Sequence, residues 1–524
     1  MNDAVATRGA AEALIAIVGA EHCLTGDAML PFATDVYRQL HRPVAVVRPG
    51  SVEAVQQIAR HASETGTGLS VRGGGASYTD AYLPREEGQI LIDMTRLDRI
   101  VVIDEENGYV TVEAGVTWAA LKQALDARGL RTPFWGPFSG VAATVGGSLS
   151  QNTISHGSAA YGISAQSVQA LDVVLADGRL LRTGSSAAGL APFARFFGPD
   201  LTGLFTGDAG AFGIKVRATL PLIKARAAHR PISFAFPDFD SIHEAMRRSA
   251  QDRLEDTHFA IDAALSQGQI ARQDRAGATF GMAISIVRSA PSLVAGLRQL
   301  VQAGLSARRV LNRSAYMLHY IVEGVDDAEV RSRLARIRAI LRDIGREILA
   351  TVPAVVRGMP FAPLYNTLGP NGERWVPLHG ILPHSAVPRF HRALDDFYAE
   401  RAGEMKRLGV WTGGMFGTVG SSGFLYEIAI YWPDEITPYH RAMVPADYLD
   451  KLPKFPANLA ARSYVDRLKS DLIALYVAHG AINFQLGKAY PYAARLEQAP
   501  LDLVRAIKTC LDPDGRVSPG NLGL

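Results

Sequence analysis

Apolar and polar positions alternate with period two around Leu69 and Val71 and over Val110, Val112 and Ala114, while 90–94 and 100–103 are short apolar runs bounded by charged or Gly-containing turns. Apolar residues recur instead at helical spacing over Val55, Ile58 and Ala62, and again over Leu121 and Leu125. The first spacing sends successive side chains to opposite faces of a strand, and the second lines one face of a helix. Residues 43–48 add a strand that Pro49-Gly50-Ser51 breaks, after which Ser51 caps the first helix; Thr117 caps the second. From 43 to 115 the order is strand, helix, then several strands, an α+β unit and not a regular βαβ series. Further along, 173–181 reads as a hairpin about Asp177-Gly178, and 214–220 as a strand. Strands are also predicted at 232–236, 281–287, 411–419 and 424–432. Val330, Leu334, Ile337, Leu341, Ile344 and Ile348 step by four and three, predicting one amphipathic helix over 327–349. The short apolar core at 13–18 follows Asp3 and reads as an amphipathic helix, not a signal peptide.

Composition narrows the function. A chain of 524 residues is too long for one core, so two or three domains are expected. Lys and Arg number 54 against 51 Asp and Glu, interspersed, with net charge +3. That balance argues against a nucleic-acid stripe and against a polybasic membrane anchor. The arginines of 327–349 sit among Asp327, Glu329, Asp343 and Glu347 and read as a solvated helix face. The two cysteines, Cys23 and Cys510, are far apart, which excludes a disulfide framework and a Cys-rich zinc site and favours a reducing, cytoplasmic setting. No transmembrane segment is expected.

Candidate chemistry begins at Val71-Arg72-Gly73-Gly74-Gly75-Ala76-Ser77-Tyr78-Thr79-Asp80. Three glycines after a strand leave backbone free to turn its N–H groups toward one point, which suits a pyrophosphate; an ordinary glycine-rich turn fits the same decapeptide. Neither a Gly-Lys-Ser/Thr nor a GxGxxG helix opening follows. Between Thr132 and Leu171, 40 residues pass without Asp, Glu, Lys or Arg, yet they are rich in Gly, Ser, Thr and Ala. Such a stretch fits a chain hugging a large polar heterocycle, or a tightly packed core loop. It contains Thr144-Val145-Gly146-Gly147-Ser148, Asn152, His156 and Tyr161, and a third glycine cluster spans 207–213.

These motifs, in this order, together with Leu201-Thr202-Gly203-Leu204-Phe205 and the closing Leu511-Asp512-Pro513-Asp514-Gly515-Arg516-Val517-Ser518-Pro519-Gly520, resemble the FAD-binding module of the vanillyl-alcohol oxidase/p-cresol methylhydroxylase superfamily. The resemblance implies an α+β fold: a two-subdomain, PCMH-type FAD-binding module and an α+β substrate (cap) domain with an antiparallel sheet. It divides the chain into a helical segment at 1–42, the FAD domain at 43–222, the cap at 223–470 and a segment at 471–524 that returns to the FAD domain. It also implies that Arg72, Gly73, Gly74, Gly75, Ala76, Ser77 and Tyr78 hold the pyrophosphate. Thr144, Gly146, Gly147, Ser148, Asn152 and His156 would lie along the flavin, with Gly213 and Ile214 adding backbone contacts. Members linking flavin through the glycine loop carry a His where Gly75-Ala76-Ser77 stands, and others carry one where Phe424 stands; non-covalent FAD is expected, with His156 the remaining candidate for a link.

The implied activity is hydride transfer from a hydroxylated or benzylic carbon of a small, aromatic (phenolic or aryl alcohol) substrate to flavin N5, by an oxidase or a dehydrogenase using O2 or a redox carrier. The alternatives are a D-2-hydroxy-acid or other alcohol dehydrogenase, and a non-catalytic flavin-binding module. Candidate catalytic residues are Tyr426, Glu427, Lys488 and Tyr490; candidate substrate contacts are Tyr161, Tyr316, His379 and Tyr492. Lys488, Tyr490 and Tyr492 place a cation and two phenols within a few residues, suited to an anionic oxygen. Tyr426 and Glu427 are adjacent on one strand, so only one of them faces the flavin, and the sequence does not decide which. Tyr490-Pro491 replaces the Tyr-Arg pair of phenol-oxidising members, and Ile163 replaces their Asp. Residues 418–423 lack the His and Asp of the hydroxy-acid dehydrogenases' metal cluster, so no metal is expected. Oligomeric state is open, with a homodimer compatible.

Overall fold

The computed structural model describes residues 11–268, 315–361 and 363–524. The strand expected at 281–287 lies outside them. Three sheets organise the chain.

The first, of four strands in the order β1-β2-β4-β3, comprises β1 (Cys23–Leu24), β2 (Ala45–Val47), β3 (Leu69–Arg72) and β4 (Ile90–Asp93). β2 and β3 each run parallel to β4, with Val46 opposite Leu91 and Val71 opposite Ile92. The crossover is helix Val52–Thr65: the Ser51 hydroxyl accepts from the Ala54 N–H, Gly66 at φ 69° ends it, and Val55, Ile58 and Ala62 are buried. Residues 11–18 are helical, and Leu14 and Val18 pack into the same core.

The second sheet, β5-β6-β10-β8-β9, is antiparallel: β5 (Ile100–Asp104), β6 (Tyr109–Glu113), β8 (Ala170–Val174), β9 (Leu180–Arg182) and β10 (Ile214–Pro221). Two short strands, β7 (Leu130–Arg131) and β11 (Ile223–Lys224), pair beside it.

The third sheet is fully antiparallel and has seven strands in the order β15-β12-β14-β13-β17-β18-β16. These are β12 (Ala228–Phe236), β13 (Thr257–Asp262), β14 (Tyr316–Gly324), β15 (Arg346–Ile348), β16 (Arg374–Pro383), β17 (Trp411–Val419) and β18 (Gly423–Trp432). Helices Phe239–Asp252, Asp327–Leu341, Val387–Leu408 and Leu459–Ala478 cover one face, burying Ile242, Leu334, Phe390 and Leu472 with Phe424, Tyr426, Ile428 and Ile430 of β18. The other face looks toward the FAD-binding module.

Two boundaries differ from the sequence reading. The helix expected over 327–349 stops at Leu341, and 346–348 form β15 at the sheet edge. Gly345 allows that exit, because a Cβ there would lie 2.8 Å from the Phe236 ring. The arginine face is exposed and paired, Arg336 to Asp252 and Arg338 to Glu347, each at 2.8 Å. Helix Leu459–Ala478, partly assigned to the returning segment, packs on the cap sheet through Leu472 and Tyr476. The return is made later: the Gln485 N–H donates to Gln151 O, Lys488 N–H to Thr79 O, and Ser518 N–H to Leu69 O.

Candidate active site

A cavity of about 690 Å³ lies between the FAD-binding module and the cap sheet, with Val355, Val356 and Met359 also on its wall. All three glycine clusters reach it: residues 73–78, Thr144 with 146–148, and Ala209, Gly210 and Gly213. A Cβ on Gly74 would overlap the Ala142 carbonyl oxygen, and one on Gly146 would lie 2.6 Å from the Ala114 Cβ. The backbones therefore meet at distances that only glycine permits. Among the described residues, no acceptor receives the amide N–H groups of 74–78. Amides that line a cavity without a partner in the protein are free to meet an acceptor there, and a phosphate supplies one. Thr144 shapes the second cluster, its hydroxyl accepting from the Gly147 N–H at 3.2 Å. Asp208 shapes the third, accepting from the Gly210 N–H at 3.0 Å and the Lys215 ammonium at 2.6 Å.

Four expected cofactor residues do not line the cavity. The Arg72 guanidinium is buried beneath Gly75, paired with Asp93, and so supports the loop from behind. Asn152, at φ 56°, ends helix Val145–Gln151. Ile214 is fully buried in the core. His156 stacks on Trp135 at 4.4 Å, with its Nε2 2.9 Å from the Pro360 carbonyl. Burial lowers its pKa to about 4, and a ring so enclosed is not presented for a covalent link.

The cap contributes β18 in alternation: Leu425, Glu427, Ala429 and Tyr431 line the cavity. Tyr426 points the other way, its hydroxyl 2.8 Å from His391 Nδ1. Glu427 thus stands on the cavity wall, opposite Met415 and His379 in the neighbouring strands. Among the described residues its carboxyl has no hydrogen bond or ion pair, and burial raises its pKa to about 7.

The other expected catalytic and substrate residues are not brought to the cavity. The Lys488 ammonium donates to the carbonyls of Asp80 (2.9 Å), Ala81 (3.3 Å) and Leu83 (2.9 Å), which fixes it beneath the glycine loop. Burial lowers its pKa to about 8. The Tyr490 hydroxyl accepts from the His379 N–H at 3.1 Å. His379 lies behind Tyr78, stacked on Phe484 at 4.0 Å and kept neutral by burial, which lowers its pKa to about 3. Tyr161 sits under the Arg131 guanidinium at 5.6 Å, Tyr316 against Phe239 at 5.7 Å, and Tyr492 against the core of the FAD-binding module.

Tyr78, by contrast, does line the cavity, with its hydroxyl 3.3 Å from His379 Nε2 and its pKa pushed well up by burial. Residues that the sequence did not single out complete the wall: Phe138, Phe259, Val356, Trp375, Met415 and Leu425. None of them has an ionisable side chain or belongs to a motif that would mark it in the sequence. Lys215 is the one lysine or arginine among the described lining residues, and Asp208 neutralises it.

Comparison with known proteins agrees with this geometry. Residues 43–184 match the family model of an FAD binding domain. A glycolate oxidase subunit of Bacillus subtilis is 30% identical over 237 residues, 45% of this chain and 49% of its own. The chain spans about half the length of the curated relatives it matches. Among solved structures, p-cresol methylhydroxylase with substrate bound superposes with a TM-score of 0.71 at 18% identity, covering 99% of this chain and 96% of that one. The 4-ethylphenol oxidase of Gulosibacter chungangensis, in complex with isoeugenol, gives 0.68 at 17%, covering 98% and 97%. The converging glycine clusters and the unpaired amides fit FAD. Among the described residues, no helix is long and apolar enough to cross a membrane.

Proposed function

We propose that this chain, an FAD-binding protein with the fold of p-cresol methylhydroxylase, oxidises a small, uncharged aromatic substrate at a hydroxylated or benzylic carbon. One observation carries the reading: Glu427 is an unpaired carboxyl on an apolar wall, facing the space between cap and cofactor loops. FAD, when bound, supplies the hydride acceptor.

The chain's own residues position the substrate and move the proton. With a pKa near 7, Glu427 is partly ionised at neutral pH, so its carboxylate takes the hydroxyl proton as the hydride leaves the adjacent carbon and the C–O bond becomes a carbonyl. Tyr78 stays protonated and can donate to the substrate oxygen. Phe138, Phe259, Trp375, Met415 and Leu425 exclude water and favour an aromatic ring.

A second reading, oxidation of a D-2-hydroxy acid, is favoured by the similarity to the glycolate oxidase subunit. It ranks lower because a carboxylate substrate needs a cation, and Lys215 is already neutralised. The electron acceptor, O2 or a redox carrier, is the remaining part of the proposal.

Anaerobic mixing of the FAD-loaded protein with aryl alcohols, para-alkylphenols and D-2-hydroxy acids tests both readings by bleaching of the flavin. Aryl alcohols or alkylphenols should bleach it, and Glu427→Gln should keep its flavin yet slow bleaching by ~10²–10⁴-fold. Bleaching by hydroxy acids alone would overturn the substrate class, and an undiminished rate in the variant would overturn the role of Glu427. No bleaching by any of the three would leave a flavin-binding module.

A further inference from the structure

Tyr78 and Glu427 reach the cavity from different modules, yet both adjoin one buried side chain that does not itself line it. His379 of β16 stands directly opposite Glu427 of β18 in the antiparallel ladder, where facing side chains start about 5 Å apart at Cβ. Its Nε2 is 3.3 Å from the Tyr78 hydroxyl. A substrate oxygen held between Tyr78 and Glu427 therefore has His379 behind its donor and beside its base.

β16 is an edge strand of its sheet, and the returning segment covers the open side. Ile381 and Ile482 exchange main-chain hydrogen bonds at 2.7 and 2.9 Å. The His379 N–H donates to the Tyr490 hydroxyl at 3.1 Å, and its carbonyl accepts from Asn483 Nδ2 at 2.9 Å. Phe484 stacks on the imidazole at 4.0 Å, and the Tyr490 ring lies tilted against it at 5.5 Å. Main chain and ring are both fixed, and the residue is fully buried. A histidine held so firmly sets where its neighbour points.

The neutral ring carries a single proton, and its surroundings select the nitrogen. Nδ1 is buried with no partner among the described residues; the Gln485 side chain stands beside both His379 and Tyr78 and gives Nδ1 no hydrogen bond. A proton on Nδ1 would bury an unpaired N–H, at a cost of about 1–3 kcal/mol, and a lone pair left there is the smaller penalty. On Nε2 the proton meets the Tyr78 oxygen. Tyr78 then accepts from behind, and its own O–H is left to point into the cavity. The opposite tautomer would draw the phenolic proton back onto the imidazole and leave the substrate oxygen without a donor.

We propose that His379 is a positioning residue, holding the Tyr78 hydroxyl with its proton turned toward the substrate oxygen. The inference rests on the oxidation proposed above, in which Tyr78 donates to that oxygen. Asparagine and glutamine at this position separate the role from packing, because a glutamine amide nitrogen falls near the place of Nε2 and an asparagine one near that of Nδ1. In anaerobic bleaching of the FAD-loaded protein by benzyl alcohol, His379→Asn should be ~10–100-fold slower, and His379→Gln should recover most of the rate. In a Tyr78→Phe background the two should differ by less than about twofold, since the group they act through is gone. Binding gives a readout without turnover. The tertiary alcohol α,α-dimethylbenzyl alcohol has no carbinol hydrogen to give, and its dissociation constant, read from the flavin spectrum, should rise ~5-fold in His379→Asn and not in His379→Gln. The methyl analogue tert-butylbenzene should bind all three proteins alike. Equal rates and affinities in the two variants, loss of flavin by both, or the same gap between them in the Tyr78→Phe background would overturn the proposal. So would failure of the tertiary alcohol to bind the unaltered protein. No bleaching by benzyl alcohol, together with a tertiary-alcohol affinity that falls in His379→Asn alone, would remove the proposed oxidation and leave the positioning role standing.

Discussion

Glu427 and Tyr426 are neighbours on β18, and the pleat sends one to the cavity and the other to His391 beneath the cap helices. Both faces of that strand are apolar apart from this pair, so the alternation marked a strand without marking its inner side. The position of Glu427 has two pH consequences. As a base it must be ionised, so flavin reduction should rise with pH through about 7, and the Glu427→Gln variant should lose that limb in stopped-flow measurements. Its folded pKa is raised above the ordinary 4.5, so between about 4.5 and 7 the folded state holds a proton that the unfolded state releases. Folding stability from this group therefore falls as pH rises through that window, and denaturant titrations of Glu427→Gln should show a shallower decline. A second residue-scale test concerns Gly74, where a methyl group would meet the Ala142 carbonyl. Gly74→Ala should cost about 1–3 kcal/mol at the loop and weaken FAD binding by ~10–100-fold in a fluorescence titration.

Among the elements, the glycine loop depends on groups distant in the chain. Asp35 accepts from the Arg38 N–H at 2.7 Å and the Asp80 N–H at 3.2 Å, and the Arg38 side chain grips the Asp80 carboxylate at 2.7 Å. Lys488 closes the same turn from the returning segment. Its ammonium is spent on main-chain carbonyls, so Lys488→Met should lower stability by about 1–3 kcal/mol in chemical denaturation. The same variant should leave substrate affinity unchanged. The cation and phenols at 488–492 looked like a pocket because their spacing is short. In the fold, a turn at Gly487 (φ 52°) and the hydrogen bond from the Lys488 N–H to Thr79 O direct the lysine beneath the loop.

For the whole molecule, the two modules are joined by buried charge. Arg131 of β7 meets Asp256 at 2.6 Å and Glu323 at 3.4 Å across the domain boundary, and Arg357 meets Glu323 at 3.0 Å. Arg131→Ala leaves two carboxylates facing a single cation, so it should destabilise by about 3–5 kcal/mol, read as a lower melting temperature. FAD would be held by glycine clusters that converge only in the folded state, so its excess should raise the melting temperature. A folded, colourless preparation that takes up no FAD would remove the basis of the functional reading.

Local pattern alone determined the longer strands of the FAD-binding module, though not β1, β7 or β11, together with the Ser51 and Thr117 caps and the three glycine clusters, because turns, caps and close backbone approach demand particular residues at particular positions. It did not determine which side chains surround the substrate. Tyr161, Tyr316, His379, Lys488, Tyr490 and Tyr492 carry the right functional groups yet point into cores or turns, while Tyr78, Trp375 and Met415 form the wall. Which face of a strand is turned inward depends on what packs against it, and those partners lie from tens to hundreds of residues away, His391 35 residues before Tyr426.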